Sequence, residues 1–170
     1  MSYTEAKQVQ SSLARKVIME GEDIAPHLIA GVDISTHGPQ SMAQAAVVVL
    51  DYPSLKLVEV ATSQAIPAIP YIPGLLSFRE CPLILAACEK VVNIPDIMLV
   101  DGQGVAHPRR FGLASHLGLF WDIPTVGCAK SILCGQHGVL AEEAGAHADL
   151  IDNGELIGAA LRTRAKVKPI

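Results

Sequence analysis

Hydrophobic and polar positions change period along this chain, and each change marks an element. Over residues 4–20, Val9, Leu13, Val17 and Ile18 recur at helical spacing while Lys7, Arg15 and Lys16 fall elsewhere, which predicts an amphipathic helix. "GEDIAPH" breaks it. "LIAGVDIS" (28–35) reads as a short apolar strand, and a His37-Gly38-Pro39 turn leads to a second, "AQAAVVVLDY" (43–52). After another turn, "KLVEVATSQA" (56–65) alternates as a half-exposed third strand. Turns this short force neighbouring strands to run antiparallel, so the first half predicts a three-stranded meander.

The second half has a different rhythm. The Pro-rich "IPAIPYIPG" (66–74) precedes a helix through "LILAACEKVV", then a strand "DIMLVDG", a helix "FGLASHLGLFW" and a short buried strand "IPTVGCAK" (123–130). Residues 134–153 are rich in Gly and Ala without a clear period and read as loop. "GELIGAALRTRAKVKPI" returns to a strand pattern, with Arg162, Arg164, Lys166 and Lys168 at alternate positions. A helix, three antiparallel strands, then alternating helices and strands is the order of a ribonuclease-H-like mixed α/β sheet flanked by helices, in one domain spanning 1–170. A flavodoxin-like fold is the alternative, but it expects helices between the first strands.

Composition narrows the class. Half of the 170 residues are hydrophobic and 18% are charged, with a mean hydropathy of +0.36, so the chain folds around one core and is not disordered. Aromatics are 4%, a balance that suits a largely covered sheet. The net charge of −4 means that any nucleic-acid binding must rest on a local basic patch. Cys81, Cys88, Cys128 and Cys134 form no C-x-x-C pair and no zinc spacing, and read as reduced thiols. The polar "MSYTEAKQVQ" start is not a signal peptide and no apolar run reaches membrane-spanning length. A cytoplasmic protein without a membrane partner is expected.

Candidate chemistry lies where carboxylates end apolar strands. Asp33 sits in "LIAGVDIS" and Asp101 closes "IMLVDG". An ionised carboxylate in such a place needs a cation or several donors. One such residue is as easily a turn cap as a ligand; two on adjacent strands would meet at one point. Glu80 is a third candidate. Ser77-x-x-Glu80 also fits a helix capping box, but Pro82 would then fall in the first turns, and a helix starting nearer Pro82 frees Glu80 to face a metal. Oxygen ligands without a Cys or His cluster favour Mg²⁺ or Mn²⁺ over zinc.

Basic and glycine elements follow. In "GQGVAHPRR", Gly102 and Gly104 allow backbone to approach a ligand closely, and Arg109 and Arg110 offer forked donors for phosphate, although a solvated turn explains an Arg pair equally well. His107 alone is as readily an ordinary hydrogen-bonded histidine. Lys130, after "TVG", could neutralise a phosphate or orient water. The C-terminal basic residues could track a nucleic-acid backbone or simply be solvated. Tyr71, stiffened by Pro70 and Pro73 in "PYIPG", is either the tip of a rigid turn packed on its own domain or a wedge between stacked bases.

The stretches "AGVDIS", "PYIPGLLSFRE", "DGQGVAHPRRFGLASHLG" and "PTVGCAK" together resemble the endonuclease V family, the deoxyinosine-directed nucleases. The resemblance implies a ribonuclease-H-like fold and Mg²⁺-dependent hydrolysis of the second phosphodiester bond 3′ to inosine, leaving a 3′-hydroxyl and a 5′-phosphate. It implies a role in repair of deaminated DNA, with RNA as the other substrate of the family. Asp33, Glu80 and Asp101 match the family's metal-binding carboxylates, Lys130 its catalytic lysine, and His107 a histidine of its active-site loop. Tyr71, with Pro70, Ile72 and Pro73, matches the strand-separating wedge; Gly74, Leu76, Gly102 and neighbours match the pocket for the extruded base.

Family members continue through a further strand, a Gly-His loop and a final helix bearing another acidic residue, whereas this chain stops at "RAKVKPI". Weakened or absent cleavage is therefore expected, and an inosine-binding module without full chemistry is the alternative to an active nuclease. A monomer is expected, with oligomers possible through an unfinished sheet edge.

Overall fold

The computed structural model describes residues 2–19, 23–36 and 42–170; the expected His37-Gly38-Pro39 turn lies outside them. Helix α1 (Tyr3–Ala14) is followed by β1 (Leu28–Thr36), β2 (Ala43–Asp51) and β3 (Leu57–Ala65). Then come α2 (Leu76–Cys88), β4 (Ile97–Val100), α3 (Leu113–Trp121) and β5 (Thr125–Gly127). These five strands form one sheet in the order β3-β2-β1-β4-β5. β1, β2 and β3 pair antiparallel, whereas β4 runs parallel to β1 and β5 parallel to β4. That is the expected ribonuclease-H-like mixed sheet.

Alternation builds the core. Ala43, Ala45, Val47 and Val49 of β2 are fully buried on one face, beside Ala30 and Val32 of β1 and Met98 and Val100 of β4. Cys81, Ile84, Ala87 and Cys88 of α2 and Leu117 of α3 close over them. The other face is less covered than the composition suggests: Val60 of β3 is 52% exposed. Two carboxylates pin the frame. Asp96 accepts the backbone N–H groups of His27 (2.8 Å) and Leu28 (2.9 Å), fixing where β1 and β4 begin side by side. Glu59 on β3 accepts the N–H groups of Val92 and Asn93 in the turn that leads to β4.

Several expectations change. Helix α1 stops at Ala14, so Val17 and Ile18 lie beyond it, and Ile18 is 87% exposed. Helix α2 starts at Leu76, not near Pro82, and carries Pro82 inside it. A proline there has no N–H for the carbonyl one turn back, but α2 buries Cys81, Ile84, Ala87 and Cys88 on the sheet, and such a face outweighs local propensity. β5 is a three-residue edge strand with Val126 44% exposed, not a buried strand.

The largest correction concerns residues 134–153, read as loop. They contain β6 (Gln136–His137) and β7 (His147–Asp152), which with β8 (Glu155–Leu161) form a second antiparallel sheet. Asn153 and Gly154 join β7 to β8 with φ of 54° and 83°. This is the Asn-Gly hairpin turn. β8 ends at Leu161, so Arg164, Lys166 and Lys168 line no strand; Arg162 instead donates to the Ala141 carbonyl at 2.7 Å. A cleft of about 1170 Å³, lined by Gly104, Gly118, Val126, Cys128 and Ala160, separates β5 and α3 from β8.

Candidate active site

The parallel pair β1/β4 positions the first two carboxylates. Ile29 faces Ile97 and Val32 faces Val100 in register, so Asp33 and Asp101 are the next pair. The ladder continues to that point, because the Asp101 N–H donates to the Val32 carbonyl at 3.1 Å. Neighbouring strands lie about 4.8 Å apart, which brings the two acids together at the end of the β1/β4 ladder; Asp33 does not close its strand as expected, because β1 runs on beside β2 to Thr36. Asp33 accepts the N–H of Ile34 at 2.7 Å. Asp101 is ion-paired to the Lys130 ammonium, whose side chain is largely exposed. Lys130 stands three residues past β5, not at a buried strand end, and the hydrogen bond and charge of Asp101 raise its pKa above the ordinary lysine value.

Glu80 completes the cluster from α2. Burial pushes its carboxyl up to about 7; the adjacent Arg79 pulls the other way, and the negative charges of Asp33 and Asp101 add to the rise. A carboxyl held so high beside two other acids is a group waiting for positive charge. Ser77 and Glu80 do not form a capping box: the cap position is Leu75, which has no side-chain oxygen. Cys128 also borders the site, since its N–H donates to the Val100 carbonyl at 2.8 Å. Its thiol is raised above the ordinary value by burial and then by Asp101. Among the described residues, no three His, Cys, Asp or Glu side chains are already disposed to hold a metal ion. The donor set nevertheless fits a hard cation: three carboxylates, with the lysine ammonium paired to Asp101.

The glycine loop after β4 is closely packed. The Gly112 N–H donates to the Gly104 carbonyl at 2.9 Å, closing the loop on itself. A Cβ on Gly127 would lie 2.6 Å from the Gly102 carbonyl oxygen, so β5 and the loop touch backbone to backbone. His107, expected among the catalytic groups, is turned into this loop and is 4% exposed. Its Nδ1 accepts the Arg109 N–H at 3.1 Å, and its ring also hydrogen-bonds the backbone of Gly74. Burial, then the charge of Arg109, hold it down at about 4, hence neutral.

Arg109 and Arg110, expected at phosphates, are both engaged within the chain. Arg109 donates to Gln10 Oε1 (2.5 Å) and to the Gly74 carbonyl (2.6 Å). Arg110 pairs with Asp152 (2.8 Å) and Glu155 (2.7 Å) of the β7–β8 hairpin. Asp152 lies in the stretch expected to be loop and Glu155 at the start of the expected last strand; no sequence pattern pointed to Gln10. The Pro70–Gly74 turn stands beside the loop: Tyr71 is 63% exposed, Pro70 and Pro73 are exposed, Ile72 and Leu76 are half-buried, and Arg79 donates to the Ile69 carbonyl at 2.7 Å. Gly74 has φ +76°, a conformation natural to glycine.

The family model described as Endonuclease V matches residues 11–170. The endonuclease V of Dehalococcoides mccartyi is 52% identical over 170 residues, covering 100% of this chain and 76% of that protein. The crystal structure of the endonuclease V of Streptomyces avermitilis superposes with a TM-score of 0.91 at 40% identity, covering 99% of this chain and 75% of that one. The endonuclease V of Ciona intestinalis, in complex with a 24mer DNA containing an inosine followed by a ribo-adenosine, has a TM-score of 0.82 at 28% identity, covering 98% of this chain and 80% of that one.

Proposed function

The chain belongs to the endonuclease V family, a family of nucleases, and from that premise we propose that it hydrolyses inosine-containing nucleic acid with the help of Mg²⁺, or Mn²⁺ in its place. The observation that carries this reading is the meeting of Asp33, inside β1, and Asp101, just past β4, at the end of the β1/β4 ladder, with Lys130 paired to Asp101 and Glu80 feeling the charge of both acids. The bond cut is the second phosphodiester 3′ to inosine, leaving a 3′-hydroxyl and a 5′-phosphate. DNA comes before RNA, in keeping with the DNA held by the Ciona relative. The setting is the cytoplasm, in keeping with four free thiols.

Asp33, Asp101 and Glu80 would hold the cation, which when bound activates water and stabilises the leaving oxygen. Lys130 exchanges Asp101 for the scissile phosphate, keeping positive charge where negative charge develops. Tyr71, exposed between Pro70 and Pro73, enters the base stack in place of the extruded base. The backbone of Gly74, Gly102 and Gly104, with Leu76, faces that base, and amide and carbonyl groups there can tell hypoxanthine from adenine at the six-position. His107, Arg109 and Arg110 serve by fixing the shape of this surface.

One observation favours a second reading, a module that binds inosine and cleaves weakly or not at all: Lys130 already neutralises Asp101 within the chain. A nicking assay on end-labelled inosine DNA and RNA with Mg²⁺ separates the two. Cleavage at the second bond, abolished by Asp101→Ala, supports the nuclease. Selective binding without nicking supports the module, and neither activity would sink both.

A further inference from the structure

We infer that Gln10 is a positioning residue for base selection, holding the Pro70–Gly74 turn and the Gly102–Gly112 loop in one register. The inference rests on the reading above that these two segments face the extruded base. Gln10 lies just outside the span matched by the family model, residues 11–170. It is 1% exposed, a burial that an uncharged amide tolerates only when its donors and acceptor are met.

All three are met, and by the two segments in question. Nε2 donates to the Phe111 carbonyl at 2.7 Å and to the Gly74 carbonyl at 3.2 Å. Oε1 accepts Arg109 Nε at 2.5 Å, and Arg109 Nη2 returns to the same Gly74 carbonyl at 2.6 Å. One amide therefore spans the hinge of the wedge turn, the end of the glycine loop and the arginine between them. The packing is close: a Cβ on Gly74 would lie 2.9 Å from Arg109 Nη2.

Helix α1 has little else with which to dock. Its buried residues are Ala6 and Gln10, whereas Val9 is 40% exposed. A helix held by apolar area would present a stripe of Leu, Ile or Val to the core. This one presents a carboxamide to two loops. Its N-terminal capping box, Ser2 with Glu5, stiffens the helix so that the position of Gln10 follows from the helix as a whole.

The test uses the full chain with Gln10→Met, which keeps the side-chain length and removes its hydrogen bonds, and Gln10→Glu, which keeps the acceptor for Arg109. Fluorescence anisotropy in EDTA reads the affinity for oligonucleotides carrying inosine or adenine at one position. Amide exchange reads residues 70–75 and 103–112. Gln10→Met, folded by circular dichroism, is expected to lose about tenfold in inosine preference, with both segments exchanging faster together; Gln10→Glu falls between it and the parent. The Gln10→Met/Arg109→Met pair should lose less than the sum of the single effects. A folded Gln10→Met with parental preference and parental exchange overturns the inference, as does additivity of the pair. A parent chain without inosine preference counts against the reading of function instead; exchange in the two segments then decides the role of Gln10. Should Gln10→Met fail to fold, Gln10→Glu carries the same two measurements.

Discussion

Lowering the pH should destabilise this protein through His116, on α3. Its ring is 7% exposed and packed among Phe78, Phe111 and Phe120, with ring centroids 5.2, 5.0 and 5.1 Å away. Its Nδ1 has no hydrogen-bond partner among the described residues. Burial pulls its pKa from the ordinary 6.5 down to about 4. A depressed pKa means that the unfolded chain binds the proton first, so stability is intact above pH 6.5 and drains away as pH falls toward 4. Between pH 7 and pH 5 the linkage relation gives a loss of about 2 kcal/mol from this group, a large part of the roughly 5–15 kcal/mol typical of a domain. Other groups move too. His107 is depressed to about 4 and acts in the same direction; Glu80, raised to about 7, gains stability as pH falls and opposes them. The variant His116→Phe isolates the one group, because a phenyl ring fits the aromatic cluster and cannot titrate. Urea unfolding in EDTA at pH 7, 6 and 5 should show the variant's stability rising relative to the parent by about 2 kcal/mol over that range. Parallel curves for the two proteins would refute the reasoning.

Arg110→Met should cut the ion pairs with Asp152 and Glu155 and loosen the β7–β8 hairpin. A loss of about 1–2 kcal/mol in chemical unfolding, with faster amide exchange confined to that hairpin and residues 105–111, is the expected result. Gly112→Ala would put a Cβ 2.6 Å from the Gln103 carbonyl carbon; a drop of several degrees in melting temperature is expected, and an unchanged melt would mean that the loop is not packed as described. Tyr71→Ala removes an exposed ring, so the melting temperature should stay within about a degree while affinity for inosine DNA falls. Asp96→Ala frees the amides of His27 and Leu28; earlier unfolding by circular dichroism would check its part in starting β1 and β4 together.

Where the signal was local, the sequence was legible. Short turns between Leu28 and Ala65 imposed the meander, and "IMLVD" announced both a strand and an acid at its end. The unread parts depended on distant partners. Pro82 argued against a helix start at Leu76, yet the face that α2 buries on the sheet decided otherwise. Residues 134–153 lack a long period because β6 and β7 are short and bury a single residue, Leu150; the Asn153-Gly154 pair was the available signal. Gln10 and His107 were illegible for a related reason. A polar side chain declares nothing about its partners until the fold brings carbonyls such as those of Gly74 and Phe111 to it.

The place of the acidic cluster follows from one feature of topology. In the antiparallel pairs β1/β2 and β2/β3, the end of one strand meets the start of the next, so acids that close successive strands lie at opposite sheet edges. Only a parallel neighbour lets two strand ends coincide. β1 acquires such a neighbour in β4, reached through α2. The same crossover that makes the sheet mixed therefore brings Asp33 beside Asp101, and the helix that makes it carries Glu80 across the gap. β5, parallel to β4 in turn, delivers Lys130 to the same end. Residues as far apart in the chain as Asp33 and Lys130 meet because β4 and β5, parallel to β1, stop beside Asp33 while β1 itself runs on to Thr36. An acid at position 100, the last residue of β4, instead of 101 would point to the opposite side of the sheet and leave Lys130 without its partner.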